Sequence, residues 1–368
     1  MERQSVGPGR TLEATLDAEP RLSLCMIVRD EEENLPRCLA SVKGVVDEII
    51  VVDTGSTDMT PAIAGEFGAR VLHHPWRGDF SEARNVSLAH ATGDWVIFLD
   101  ADEELVREDA EVLRAVLHDE VNEGFHITEF NFVGQAPGQE AVISTTFRIF
   151  RNRPEYRFRG SIHEQIYCCV QEAGRPASFA PVRINHYGYL DGASGKKDKV
   201  RRNLEILERV VQRAPKDSFA HFNLGVEYTR LKRYEEALRE FKEAFRLLET
   251  LEIAYSPILL RNIALTLKHM GRHAEALKVL ADAKEAYPQY TDLVYIEGWI
   301  HLERQELPEA AESFRRCLEM GEPKAHVTLL GVGTHKALFG LGLVCERMGD
   351  LEGAVRASAQ ALKHNPRL

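Results

Sequence analysis

Hydrophobic and polar positions follow two different rhythms along this chain. From residue 21 to about 189, short apolar runs alternate with stretches whose apolar residues recur at helical spacing. Leu22–Val28 is one such run, residues 34–42 are a helical stretch, and residues 48–52 form a second strand ending in Asp53. A helix over 61–68, a short strand over 69–72, a helix over 83–91 capped by Gly93, and a strand over 95–99 continue the series. This alternation predicts a parallel, doubly wound sheet, which holds ligands at the carboxyl ends of its strands. From Gly124 to about Tyr189 the pattern changes to aromatic and polar alternation, as in Phe125-His126-Ile127-Thr128-Glu129-Phe130, and predicts antiparallel additions to the sheet.

After Asp191-Gly192-Ala193-Ser194-Gly195 the chain reads as helical throughout, and it repeats. Ala237, Ala276, Ala310 and Ala354 mark equivalent positions, with steps of 39, 34 and 44 residues. Gly225, Ala264, Gly298 and Gly342 fill a second small-residue position. Phe241, Leu280, Phe314 and Ser358 follow each marker by four residues, and Ala244, Ala283, Cys317 and Ala361 by seven. Small residues suit the line where two helices of a hairpin touch, and larger ones the spaces between hairpins. The pattern resembles tetratricopeptide (TPR) repeats, whose period is about 34 residues. The longer steps imply insertions near Thr250 and near Gly331-Val332-Gly333. The expected plan is a disordered lead-in over 1–20, an α/β domain over 21–190, a linker and connecting helix over 191–215, and about four repeats over 216–368.

A chain of 368 residues with 44% hydrophobic and 28% charged residues has apolar material for two cores. Its net charge of −11 argues against a nucleic-acid partner, which would call for a basic face. The six cysteines show no CxxC pair and read as reduced thiols. No apolar stretch is long enough for a transmembrane segment, and the first twenty residues lack a hydrophobic signal core, so the expected compartment is the cytoplasm.

The sharpest chemical signal is Trp95-Val-Ile-Phe-Leu-Asp100-Ala-Asp102-Glu103, where an apolar strand delivers two alternate carboxylates into a loop. Hard cations such as Mg²⁺ or Mn²⁺ take oxygen ligands, so the pair could hold an ion and a ribose hydroxyl together. In Glu48-Ile-Ile-Val-Val-Asp53-Thr-Gly-Ser56-Thr-Asp58 a second strand ends in a carboxylate that can accept hydrogen bonds from a base or ribose. Asp58 reads as a helix cap. In Asp79-Phe-Ser-Glu-Ala-Arg84-Asn85, Arg84 lies on a helix directed at the same strand ends.

These motifs, with Met26-Ile-Val-Arg-Asp30-Glu31-Glu-Glu-Asn34-Leu, together resemble the family 2 glycosyltransferases. More narrowly they are similar to the bacterial subgroup fused to TPR repeats, which includes transferases that glycosylate bacteriocin peptides. The resemblance implies a GT-A fold, a Rossmann-like mixed α/β sheet, followed by an all-α TPR solenoid. It implies inverting transfer from a nucleoside-diphosphate sugar, a UDP-sugar by preference, with Mn²⁺ or Mg²⁺. On that likeness Asp53 would meet the base, Glu31 and Asp100 the ribose region, Asp102 the metal, and Arg84 the nucleotide. Residues 124–189 would then form the acceptor side.

Arg157-Phe-Arg-Gly-Ser-Ile-His163-Glu164 and Ile184-Asn-His186-Tyr-Gly-Tyr189 also look like that subgroup. An inverting transferase needs a base for the acceptor proton. Glu164 is the candidate, with His163 as the alternative. His186 is either a third metal ligand, a diphosphate contact or a packed core histidine. The basic run from Lys196 to Arg202 could offset diphosphate charge, or be a solvated helix face, and is left out of the expected site. The Gln-x-x-Arg-Trp motif of processive family 2 synthases is absent. The array would hold a peptide or protein acceptor or a homodimer partner. Two other readings compete: a nucleotidyltransferase, against which the acidic stretch 30–33 speaks, and a TPR adaptor carrying an inactive transferase domain.

Overall fold

The computed structural model describes residues 19–190, 196–324 and 326–366. The expected lead-in over 1–18 and the linker at 191–195 lie outside the described residues. The N-terminal elements run β1 (Leu22–Val28), α1 (Leu35–Val42), β2 (Glu48–Asp53), α2 (Thr60–Glu66), β3 (Arg70–His73), α3 (Phe80–Leu88) and β4 (Trp95–Phe98). They continue through β5 (Glu103–Leu105), α4 (Ala110–Val116), β6 (Gly124–Val133), β7 (Glu140–Arg151), α5 (Tyr167–Glu172) and β8 (Ser178–His186). Helices follow: α6 (Lys196–Arg213), α7 (Ser218–Arg230), α8 (Tyr234–Arg246), α9 (Ser256–His269), α10 (His273–Ala286), α11 (Thr291–Glu303) and α12 (Leu307–Met320). A short strand β9 (Thr328–Leu329) precedes α13 (His335–Arg347) and α14 (Leu351–His364).

Among the described residues the strands form one mixed sheet in the order β3-β2-β1-β4-β7-β6-β8-β5. β1, β2, β3 and β4 are mutually parallel, and β7 turns the direction by pairing antiparallel with β4. A central parallel strand is covered on both faces, which is why β1 is apolar almost throughout. Leu24, Met26, Trp95 and Ile97 pack under α1 and α4 on one face, while Cys25, Ile50, Val96 and Phe150 pack on the other.

Several expectations need correction. α3 begins at Phe80, three residues early, because the Asp79 carboxylate accepts from the Glu82 amide and caps it there. Gly93 is not that helix's cap. It lies against β1, where a Cβ would stand 2.6 Å from Ser23 Oγ, and its amide donates to Ser23 and Glu48. The run 124–189 is not purely antiparallel: β8 pairs parallel with β6, and α5 interrupts it. The acidic stretch after β4 is also more than a loop, since Glu103 opens β5 opposite His186 of β8.

Among the described residues the helices form four hairpins, α7/α8, α9/α10, α11/α12 and α13/α14, led by α6. Phe241 sits directly over Gly225 of its own hairpin, and Phe314 over Gly298; a Cβ at Gly298 would stand 2.9 Å from that ring. The large residues therefore fill hairpin interiors as well as the gaps between hairpins, where Phe314 also reaches Gly340 of α13. The insertion expected near Gly331 has a clear purpose in the fold. It carries β9, which adds to β7 with Val142 opposite Leu329 and Ile143 opposite Thr328. Asp292 on α11 holds it, accepting from Thr328 Oγ1 at 2.6 Å and the Leu329 amide at 3.2 Å. Lys336 adds an ion pair to Glu140 at 3.0 Å. The repeat array is thus hydrogen-bonded into the sheet of the first domain.

Candidate active site

Parallel strands β1, β2 and β4 all end on one side of the sheet, which gathers three loops there. Val28 pairs with Asp53 and Cys25 with Phe98, so the Asp30-Glu31 loop, Asp53 and the Asp100–Asp102 loop are neighbours. Asp30 adopts a left-handed backbone, φ 51°, which short acidic side chains tolerate. Its carboxylate accepts from the Thr57 amide at 2.7 Å, and the Glu31 amide donates to Thr60 Oγ1 at 2.8 Å. Asp58 accepts from the Thr60 and Glu32 amides, so its capping role extends to fastening the first loop. Asp53 is buried, with one carboxylate oxygen taking the Ser56 amide at 3.0 Å and the other facing His73 Nδ1 at 3.2 Å.

The segment 158–164 is stitched onto α3, and this stitching explains the Asp79-to-Asn85 motif. Asp79 accepts from Ser161 Oγ, and the Phe80 amide donates to the Ser161 carbonyl. The Asn85 side chain clamps the Phe158 backbone in both directions at 2.9 Å. Glu164 is thereby brought to Arg84. That buried guanidinium donates through Nε to Glu164 and through a terminal nitrogen to Asp100 Oδ1 at 2.7 Å. Burial alone would raise the Asp100 pKa, but Arg84 and Arg148 outweigh it and hold this carboxyl below the usual range.

Asp102 faces a different group. Its Oδ1 lies 3.5 Å from His186 Nε2, while His186 Nδ1 is tied to Asn131 Oδ1 at 2.8 Å and lies 3.3 Å from Glu129. Burial opposes charge on the imidazole, yet Asp102 and Glu129 push its pKa up to about 11. A Cβ at Gly188 would collide with the Asp102 carboxylate and meet His186 Nε2 at 2.8 Å, so a larger residue there would displace both groups. Lys199 of α6 completes this side, its ammonium 3.1 Å from Glu31 Oε1 and 3.3 Å from Asp102 Oδ2.

Beneath these groups lies a buried charge network. Arg148 on β7 contacts Glu103 at 2.5 Å and Glu129 at 3.5 Å, and Glu103 also accepts from the Asp100 amide at 2.8 Å. Burial pushes Glu103 up to about 8 despite Arg148. One continuous set of contacts therefore runs from Glu31 through Lys199, Asp102, His186, Glu129, Arg148, Glu103, Asp100 and Arg84 to Glu164. Asp53 and His163 stand outside it. His163 adopts φ 52°, and its ring lies 6.5 Å from that of Phe219 on α7, at the junction with the array.

Comparison with known proteins places this geometry. Residues 23–171 match the model of glycosyl transferase family 2, and residues 218–251 and 261–325 match tetratricopeptide repeat models. The chain carries a family 2 glycosyltransferase domain followed by TPR repeats. It is similar to a TPR repeat-containing protein of Synechococcus elongatus, 44% identical over 56% of this chain and 52% of that one. It is also similar to the SPbeta prophage-derived glycosyltransferase SunS of Bacillus subtilis, 30% identical over 61% of this chain and 53% of that one. An uncharacterized glycosyltransferase of Rickettsia felis is 41% identical over 24% of this chain and 31% of its own length. The chain thus spans about half the length of the first two curated relatives it matches. Among solved structures, MamA aligns at 17% identity and a TM-score of 0.39, covering 47% of this chain and 95% of that one.

In this transferase domain the donor set around Asp102 fits a hard divalent cation. One carboxylate oxygen and one imidazole nitrogen face each other, and the second imidazole nitrogen is anchored, as is usual for a ligating histidine. Glu103, Glu129 and His186 also offer donor atoms within 4.8 Å of one another. Arg148 already lies on both of those carboxylates, so that cluster carries its own counter-charge. Sequence reading missed Glu103, Glu129, Arg148 and Asn131, because strand alternation marks only which face a residue takes. It weighed the basic run containing Lys199 and set it aside, since nothing local tells a solvated helix start from one laid across a site.

Proposed function

We propose that the chain is an inverting, metal-dependent glycosyltransferase. It would move a sugar from a nucleoside-diphosphate sugar, a UDP-sugar by preference, to a peptide or protein acceptor held partly by the repeat array. The observation that carries this reading is the contact set at the strand ends, in which Arg84 joins Asp100 to Glu164 while Asp102 faces His186. The similarity to SunS, a glycosyltransferase by name, supports it.

Asp102 and His186 would hold Mn²⁺ or Mg²⁺, which when bound supplies a Lewis acid for diphosphate oxygens. Glu31, Asp53 and Asp100 would orient the nucleoside from the ends of the three strands. Glu164, kept in place by Arg84, accepts the proton of the acceptor hydroxyl or thiol as that atom attacks the anomeric carbon. The bond to the diphosphate oxygen breaks on the opposite face, and the diphosphate leaves with the electron pair. Arg84 keeps Asp100 and Glu164 fixed relative to each other, so base and nucleoside are positioned together.

The test uses the full-length chain with a panel of nucleotide sugars, with Mn²⁺ or with a chelator. Nucleoside diphosphate release is followed by chromatography, and peptide acceptors by mass. Consumption of one donor that requires the metal, with a peptide gaining one hexose or N-acetylhexosamine mass, is the expected result. Unchanged turnover in chelator would remove the metal from the reading. Transfer only to small sugars would remove the peptide acceptor.

A further inference from the structure

The strongest observation that this function leaves unused is Lys199. It belongs to α6, whose Leu204, Leu207 and Val211 pack into the core of the repeat array. Yet its ammonium reaches across to Glu31 on the β1 loop and Asp102 after β4. The same helix lays Arg202 over the rings of Trp76 and Phe80, with its guanidinium carbon 4.8 Å from the Phe80 centroid, and brings Arg209 beside Gly78. The first helix of the array therefore covers the carboxyl ends of the strands.

Resting on the transferase reading above, we propose that Lys199 is a donor-binding residue. In it the repeat array supplies a positive charge for the diphosphate of the nucleotide sugar. Asp102 uses its two oxygens differently: Oδ1 faces His186 Nε2, and Oδ2 faces Lys199. A cation held on the His186 side leaves the lysine in place on the other oxygen. An ammonium has three donors, and here two point at Glu31 and Asp102, leaving one for a phosphate oxygen. A charge fixed beside the departing diphosphate helps most as negative charge grows there. The helix that presents Lys199 is anchored in the array, so the donor site is incomplete without the array, whatever acceptor the array holds.

The test titrates full-length wild type, Lys199→Met and Lys199→Arg with UDP and with UMP, each with Mn²⁺, and with Mn²⁺ alone, by calorimetry. Melting temperatures show that each variant is folded. Lys199→Met is expected to weaken UDP binding roughly tenfold to a hundredfold, the worth of one charge-assisted hydrogen bond, while leaving UMP binding unchanged. Lys199→Arg should retain most of the UDP affinity. Equal loss for UDP and UMP would mean that Lys199 only shapes the nucleoside pocket and would overturn the proposal. Tighter binding of Mn²⁺ alone with no loss of UDP affinity would make the lysine a competitor for the cation and overturn it too. Wild type that binds neither nucleotide would remove the donor reading itself, and this proposal with it.

Discussion

The two halves of the molecule bury different things. The transferase domain encloses ionisable groups: Arg84, Arg148, Asp102, Glu103 and Glu129 are all buried, each in contact with a group of the opposite acid–base type. The repeat array encloses mostly small and apolar groups at fixed intervals, such as Ala237, Ala276 and Ala310 at full burial. One departure from this rule lies where the array meets the other domain. Asp292 and Arg261, buried or nearly so at 3.4 Å, hold the segment that adds β9 to the sheet. Burial of charge costs several kcal/mol per ion before pairing, so it persists where geometry demands it. Regular packing marks the scaffold of the array, and the densest buried charge lies beneath the candidate site.

That contrast can be broken at defined places. The largest effect belongs to Asp102→Asn, which should abolish Mn²⁺-dependent release of nucleoside diphosphate while the melting temperature stays near that of wild type. Substantial remaining turnover would show that the carboxylate is structural. Next, Glu164→Gln should lower turnover by about two to four orders of magnitude with donor affinity preserved, because the amide still accepts from Arg84 but cannot take a proton. Loss of donor affinity in place of turnover would move Glu164 into the nucleotide pocket. Arg148→Met tests the network beneath, removing the partner of Glu103 and Glu129 at a stability cost of about 3–5 kcal/mol in denaturant unfolding. A cost below 1 kcal/mol would mean that these carboxylates are held by other groups.

In the array, Gly298→Val should cost about 1–3 kcal/mol by forcing a side chain against Phe314, and leave turnover unaltered. The smallest effect concerns the junction. Burial first, and then Arg230, push His163 down to about 4, whereas the unfolded chain takes up the proton near the ordinary value of 6.5. The unfolded state thus binds more protons below pH 6.5, so stability is undiminished above that value and declines as pH falls towards 4. His163→Phe should flatten that part of the curve. An unchanged slope would show the ring to be freely solvated.

Much of this organisation was legible in the chain because it depends on neighbours in sequence. Apolar runs of strand length, helical spacing and recurring small residues act over a few positions, and they marked β1, β2, β4 and the repeats. The acidic residues after Val52 and Leu99 could be placed at strand ends because a parallel sheet puts those ends together. Asp79 and Asn85 were visible as a motif, but their task of clamping Ser161 and Phe158 was not, since those partners lie more than seventy residues away.

Periodicity and strand termination are local, so the amino-acid order alone encodes the two-part plan, the parallel start of the sheet and the carboxylates at its edge. Three-dimensional packing alone sets Glu103 at the start of a strand opposite His186, lays Arg148 against two buried glutamates, and fastens the array to β7 through β9. It also decided that Lys199, on a helix packed into the repeats, reaches Glu31 and Asp102. These contacts join residues between 19 and 187 positions apart, and no local rhythm encodes which distant charge will meet which.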